Sequence, residues 1–316
     1  MKEYGGYIEL DTYNLPMLHG DAVALNCGRN CLAYLINAKG IKKIVIPYFL
    51  CNSVKNLCKR ENVQIRYYHI NESFLPENVD VQEDEWLYIV NYYGQLKYEQ
   101  ICTLKQKYAR IIVDNAQDYF QMPVSGVDTL YTCRKFFGIA DGAFLYTDAR
   151  LDVELPIDES FERMHFLLGR FERTASEFYM EYVANNELFG NEPIKRMSKL
   201  TNNLLHGIDY GFVKQRRTDN FRLYHENLKC MNQLELKEVE GAFAYPMLID
   251  NGAEVRKGLQ QKKIYIPTLW PNVLDNVNKN LMEYKFAENI LPLPCDQRYA
   301  EEDIQYIVKK IGEYRI

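Results

Sequence analysis

Long apolar runs are missing from this 316-residue chain. The longest, residues 44–51, is interrupted by Pro47 and falls far short of the roughly 20 residues a bilayer-spanning helix needs. Residues 1–11 hold no apolar stretch of the kind that opens a secretory leader. A surplus of positive charge is missing too. Lys and Arg number 38 against 43 Asp and Glu, a formal net charge of −5. Such a chain is not expected to bind nucleic acid or a membrane surface in general fashion. Neither internal repeats nor a linker rich in Gly, Pro or Ser divides it. The eight cysteines, without a leader, are expected to be reduced thiols in the cytoplasm. Cys27, Cys31, Cys51 and Cys58 lack zinc-ribbon spacing and have no histidine beside them, so they read as small buried apolar residues.

What is there is ordinary globular material, 47% hydrophobic and 26% charged, long enough for a large α/β unit and a smaller appendage. Up to about residue 155, helical and strand patterns alternate. Residues 30–38, 53–61 (capped by Ser53) and 97–108 read as helices. Residues 43–47, 63–70, 86–90, 110–113, 129–133 and 143–147 read as strands. This alternation predicts a mostly parallel sheet covered by helices on both faces. Beyond it, residues 161–186 read as a long helix with an aromatic face. Residues 198–231 read as a second helical region broken near Gly207 and Gly211. Residues 243–249 (strand), 253–263 (helix) and 301–314 (helix) suggest a small α+β domain. The expected division is 1–205 and 206–316.

Ligands of α/β sheets bind beyond the carboxyl ends of the strands, so the residues just after each strand carry the interest. Asp114-Asn115-Ala116-Gln117 follows one strand. Its carboxylate can face a cleft or merely close an Asx turn or cap a helix. Thr132-Cys133-Arg134-Lys135 follows the next. A lysine there, desolvated between apolar residues and next to Arg134, has a lowered pKa and a nucleophilic amine; the alternative is an exposed hairpin lysine. Asn26-Cys27-Gly28-Arg29-Asn30 opens a helix, where backbone N–H groups can hold an anion. It carries neither the three-glycine dinucleotide fingerprint nor the Gly-Lys-Ser/Thr ending of a P-loop.

In combination, an anion-type helix start, an acid after a strand and a lysine 21 residues later resemble fold-type-I enzymes that use pyridoxal 5'-phosphate (PLP). More narrowly, the chain resembles the DegT/DnrJ/EryC1/StrS sugar aminotransferases along nearly its whole length. Gly5-Gly6-Tyr7-Ile8-Glu9-Leu10 looks like the family's opening segment, and Cys27-Gly28-Arg29-Asn30-Cys31-Leu32 stands at its phosphate loop. Val90-Asn91-Tyr92-Tyr93-Gly94, Asp114-Asn115-Ala116-Gln117 and Thr132-Cys133-Arg134-Lys135 stand at three further motifs. Arg196-Met197-Ser198, Leu291-Pro292-Leu293-Pro294 and Glu301-Glu302-Asp303-Ile304 complete the series. Two positions depart from the pattern. Cys51 stands where many members stack an aromatic on the cofactor, leaving Phe49 or Tyr48 as substitutes. Ile194 stands where many have an asparagine that reaches the partner subunit's phosphate.

The resemblance implies a fold-type-I α/β architecture, with a mostly parallel seven-stranded sheet and a smaller C-terminal α+β domain. It also implies a role for each site residue. Lys135 would link covalently to PLP and shuttle a proton, and Asp114 would pair with the pyridinium nitrogen. Gln117 would lie near the 3-hydroxyl. Gly28, Arg29 and Thr132 would hold the phosphate, with Arg196 contributing from a partner subunit. The implied activity is transamination of a keto group, on a nucleotide-linked sugar with glutamate as donor, by a cytoplasmic homodimer with shared sites. Two other readings stay open: a different PLP reaction on the same scaffold, or a non-catalytic relative. In the family's sugar dehydratases histidine replaces the lysine, and Lys135 argues against that branch.

Overall fold

The structure is a computed structural model describing residues 4–314. Along the chain, β1 (Val23–Leu25), α1 (Gly28–Lys39), β2 (Lys43–Pro47), α2 (Asn52–Arg60), β3 (Gln64–Ile70), β4 (Pro76–Glu77) and β5 (Trp86–Val90) come first. Then follow α3 (Tyr98–Lys107), β6 (Ile111–Asp114), β7 (Asp128–Thr132) and β8 (Ala143–Tyr146). The strands form one eight-stranded sheet in the order β1-β8-β7-β6-β5-β2-β3-β4. Strands β7, β6, β5, β2 and β3 run parallel. β8, β1 and the short β4 join antiparallel. The sheet has one strand more than the seven the resemblance implies; β1 and β4, too short to show a periodicity of their own, add two to the six strands read from the sequence.

The parallel strands are apolar on both faces because helices cover both. Ile44, Val45, Ile46, Leu87, Tyr88, Ile89, Ile112 and Val113 are all buried in the main core, with Leu32, Leu35 and Ile36 of α1 packed against them. One helix start differs from expectation. α2 begins at Asn52 with Cys51 as its N-cap, and Ser53 places its hydroxyl 2.7 Å from the Cys51 thiol instead of capping.

Residues 161–186 are not one helix. A short 3-10 turn leads into α4 (His165–Glu172), and α5 (Tyr179–Leu188) follows after a break. A Cβ built on Gly169 would lie 2.4 Å from the Phe178 ring, so this glycine lets the second helix fold back against the first. Phe166 and Phe178 are thereby buried, while Phe161 and Phe171 remain 65% and 92% exposed. The next helical region breaks at Gly207, between α6 (Lys199–Leu205) and α7 (Tyr210–Leu228), whereas Gly211 lies within the first turn of α7.

The remaining elements are β9 (Ala244–Leu248), α8 (Gly252–Gln261), α9 (Asn272–Asn276), α10 (Met282–Asn289), β10 (Ile290–Pro294) and α11 (Glu301–Ile311). β9 and β10 pair antiparallel in a separate two-stranded sheet. A second core of Phe221, Tyr224, Tyr245, Met247, Val255, Leu291, Ile304 and Ile307 joins it to α7, α8 and α11. α10 turns the other way, and Phe286 packs into the main core beside Phe49 and Phe74.

A third cluster, rich in aromatics, encloses His19. The imidazole is fully buried, with Nε2 2.8 Å from the Tyr119 carbonyl oxygen and Nδ1 3.1 Å from the Tyr146 hydroxyl. Burial among Tyr119, Tyr131 and Phe144 lowers its pKa from 6.5 to about 4, against a smaller opposing pull from the Tyr119 carbonyl. Above pH 6.5 both folded and unfolded chains hold this ring neutral. As pH falls from 6.5 to 4 only the unfolded chain takes up the proton, so stability drops by up to about 3 kcal/mol and levels off below. Denaturant midpoints measured across that interval should fall, and His19→Gln should flatten the slope.

Candidate active site

The parallel register brings the predicted residues to one edge of the sheet. Asp114 ends β6 opposite Leu130, and Thr132 ends β7 opposite Ala143. Cys51 follows β2 and Asn91 follows β5. β1 delivers the start of α1 to the same edge. A Cβ on Gly28 would sit 3.8 Å from Leu130 and 3.9 Å from Thr132, so the first turn of α1 lies beside the end of β7. Cys27, its N-cap, makes no side-chain cap bond. Uncapped first-turn amides next to a threonine hydroxyl form an anion-binding arrangement.

Asp114 is buried. Its Oδ2 accepts a 2.7 Å bond from the Tyr88 hydroxyl and its Oδ1 a 2.8 Å bond from the Ala116 amide. Each carboxylate oxygen keeps a lone pair for a further donor. Tyr88, pushed well up in pKa by burial and by Asp114 itself, stays a neutral donor and fixes the carboxylate's plane. Gln117 is 2% exposed and accepts from the Tyr93 amide at 2.8 Å through Oε1. That bond fixes the amide's orientation and leaves Nε2 buried with no protein partner. A buried unpaired donor is costly, and a ligand oxygen would satisfy it.

Lys135 reaches solvent at the mouth of this cleft, with Nζ 5.4 Å from the centre of the Phe243 ring. Among the described residues no carboxylate bonds it. The surrounding protein strips enough water to push the amine below the ordinary lysine value; Asp114 and Cys51 pull the pKa back up, and Arg134 adds to the lowering. Desolvation and the neighbouring arginine are the two effects the sequence predicts, and they lower the barrier to nucleophilic use of the amine.

Arg29 and Arg134 converge on α5. Arg29 Nη1 donates to the Asn186 carbonyl oxygen at 3.0 Å, and Arg134 Nη1 to Asn186 Oδ1 at 2.6 Å. Arg134 lies over the Phe189 ring at 4.6 Å and leaves a buried Nε without a partner. Burial lowers its pKa. Two guanidiniums without carboxylate bonds among the described residues give the start of α1 a positive surrounding.

Arg196 stands apart from this cluster. Its side chain is exposed and lines a groove of ≈ 500 Å³ with Val23, Ala24, Tyr34, Phe144 and Glu154. None of Lys135, Asp114, Gln117 and Gly28 lines that groove. The two aromatic substitutes are committed elsewhere. Phe49 is buried against Tyr92 and Trp270, and Tyr48 stacks on Tyr67 and His69. Cys51 is half-buried beside the main core, close enough to act on Lys135. Gly5 and Gly6 carry no regular structure.

Sequence reasoning missed Tyr88, which looks like any buried strand residue, and Asp141. Asp141 is fully buried. Its Oδ2 accepts from the Ser198 amide at 2.8 Å, and its Oδ1 from the hydroxyls of Ser198 (2.8 Å) and Thr201. It thereby ties the start of α6 to the loop that begins at Lys135. Next to it, Gly142 at φ 112 adopts a backbone conformation open to glycine, and its amide donates to Asn26 at 2.6 Å. The Asp-Gly pair was the available signal.

The chain matches no protein-family profile and no curated protein sequence. Solved structures match it closely in shape. The sugar aminotransferase CalS13 from Micromonospora echinospora aligns at TM-score 0.62 with 12% identity, covering 93% of this chain and 87% of that one. The putative sugar aminotransferase Spr1654 from Streptococcus pneumoniae, in its PMP form, aligns at 0.64 with 14% identity over 94% and 88%. A DegT DnrJ EryC1 StrS aminotransferase from Brucella abortus aligns at 0.60 with 15% identity over 92% and 85%. The chain therefore has the α/β fold of the fold-type-I PLP-dependent aminotransferases.

Removing the Asp141 carboxylate takes the acceptor from three buried donors, of which only the Ser198 hydroxyl has a second partner, the Ser160 hydroxyl. Asp141→Ala should cost about 3 kcal/mol, at the upper end for hydrogen bonds to a charged group, read as a lower denaturant midpoint at unchanged slope.

Proposed function

We propose that the chain is a PLP-dependent aminotransferase that converts a keto group on a sugar, nucleotide-linked, to an amine with glutamate as donor. The observation that carries the proposal is the buried, unpartnered Gln117 Nε2 in one cleft with Asp114, Lys135 and the uncapped start of α1. Each of these residues suits one part of PLP. Gly28 and Arg29 at the helix start, with Thr132, suit its phosphate. Gln117 suits the 3-hydroxyl oxygen, and Asp114 the ring nitrogen. Lys135 suits the aldehyde carbon. The fold and the named forms of Spr1654, solved with PMP and with PLP, support the same cofactor.

When bound, PLP supplies an electron sink for the carbanion left by removal of the donor's α-proton. The chain's own residues do the rest. Asp114, its plane fixed by Tyr88, keeps the ring nitrogen protonated. Lys135 would take the proton from the donor's α-carbon and would return it on the cofactor's C4′ side, general acid–base help worth about 10²–10⁴-fold. Arg29 and Arg134 balance the phosphate's charge. No helix among the described residues is long and apolar enough to cross a membrane, and a cytoplasmic location accords with a small-molecule substrate of this class. We take residues 1–205 and 206–316 as the two working domains.

The decisive measurement is a half-reaction. Protein loaded with PLP and given glutamate should form 2-oxoglutarate and pyridoxamine phosphate in equal amounts, and Lys135→Ala should slow this at least about 10²-fold. Borohydride should fix PLP on Lys135 alone. PLP that fails to bind would leave the non-catalytic reading; binding with no conversion by any amino donor would favour another PLP reaction.

The proposal includes a homodimer in which Arg196 serves the neighbouring subunit's phosphate. Its side chain is exposed and outside its own chain's cluster, and α4, α5 and the turn before them present Phe161, Leu168, Phe171, Tyr179 and Met180 to solvent, an apolar face of the sort subunit contacts cover. Mixing Lys135→Ala with Arg196→Ala under subunit exchange should restore up to half of the sites, because a hybrid has one pocket carrying neither defect. A monomer in sedimentation, or no recovery despite exchange, would sink the shared site.

A further inference from the structure

Arg217 of α7 is 1% exposed, and none of its hydrogen bonds goes to a carboxylate. Its Nη2 donates to the Phe136 carbonyl oxygen at 3.0 Å, its Nη1 to the Ala242 carbonyl oxygen at 3.0 Å and its Nε to Gln297 Oε1 at 2.9 Å. Gln297 Nε2 closes the triangle with a 2.9 Å bond to the same Phe136 carbonyl oxygen, and the guanidinium lies 4.7 Å over the Phe136 ring. Burying a cation among neutral acceptors is expensive, and an apolar side chain would fill the space at lower cost. What these bonds share is their target. Phe136 follows Lys135 directly, and Ala242 precedes Phe243, whose ring lies under the Lys135 amine.

We propose that Arg217, with Gln297, is the positioning residue for Lys135: its fork ties the backbone after the lysine and the backbone before the lysine's ring contact into one rigid unit, fixing the amine's depth in the cleft. This deepens the proposed function and rests on it for the amine's catalytic use. The planar fork reaches two carbonyls and a side-chain amide at once, which a lysine's point charge does not. Both lone pairs of the Phe136 oxygen are taken, so that peptide group cannot tilt. Burial lowers the arginine's pKa to about 10, so it stays charged at neutral pH. Depth matters because the groups acting on the amine, Asp114, Cys51 and Arg134, stand at or beyond the ends of three different strands. An amine that swings further outward loses the surrounding protein that partly desolvates it and becomes an ordinary lysine.

The test uses cofactor-free full-length protein, Gln297→Leu and Arg217→Lys. Acylation of Lys135 by acetic anhydride is followed by peptide mass spectrometry from neutral to alkaline pH, with thermal midpoints on the same samples. In both variants the pH profile of Lys135 should move upward and its acylation at neutral pH should fall about tenfold, the change one pKa unit makes. An unshifted profile in Gln297→Leu overturns the clamp even if the midpoint drops, because that variant then loses only stability. A wild-type profile in Arg217→Lys also overturns it, since charge without the fork would suffice. Should Arg217→Lys fail to fold, Gln297→Leu decides. PLP attachment to the wild-type chain, measured in parallel, tests the functional reading separately, because acylation needs no cofactor.

Discussion

The register of the parallel strands is the constraint on which the site depends. Backbone hydrogen bonds place Val90 beside Asp114 and Asp114 beside Leu130. A one-residue slip of β6 would turn the Asp114 side chain to the opposite face of the sheet. Because both faces are buried under helices, the chain can leave the sheet only at strand ends, and the loops there collect Cys51, Asn91, Asp114, Gln117, Thr132 and Lys135. The cleft is thus a by-product of closing a parallel sheet, furnished afterwards with polar residues.

Those polar residues are held by bonds that differ in kind from the sheet's. Tyr88 orients Asp114, Tyr93 orients Gln117, and Asp141 fastens the loop after Lys135 to α6. Each is a buried bond to a group that would otherwise rotate. The cleft is therefore arranged before any ligand arrives, which spares a bound molecule the entropy of ordering it. The exceptions are Gln117 Nε2 and Arg134 Nε, unsatisfied donors that the folded chain tolerates.

Most of the sheet was legible because its strands are β-branched or aromatic runs of four to seven residues, such as Lys43–Pro47 and Trp86–Val90, whose apolar character leaves little choice of conformation. The order of an anion-type helix start, a strand-end acid and a lysine was legible for the same reason, since each follows a recognisable strand or opens a recognisable helix. What escaped was decided by tertiary contact. Residues 161–186 have helical periodicity throughout, and only the approach of Phe178 to Gly169 shows why the chain folds back there. β1 and β4, of three and two residues, exist because a neighbouring strand offers them bonds. Phe49 and Tyr48 were equivalent candidates for ring stacking until packing sent one to the core and the other to an aromatic pile with Tyr67 and His69.

Both margins of the sheet are blunted. On one side the last strand, β4, is two residues long and begins with Pro76, which has no N–H to offer a newcomer. On the other, the free edge of β1 is covered by the segment around Arg196: Asn26 donates to Lys195 at 3.0 Å and Met197 to Ala24 at 3.3 Å, with a bridge from Leu25 to Arg196. Among the described residues, a strand from another molecule finds the β1 margin already paired, while on the other side β4 covers only His69 and Ile70 of β3. Edge-to-edge growth of the sheet is thereby blocked at the β1 margin, and on the other side a newcomer meets a short strand that opens on proline.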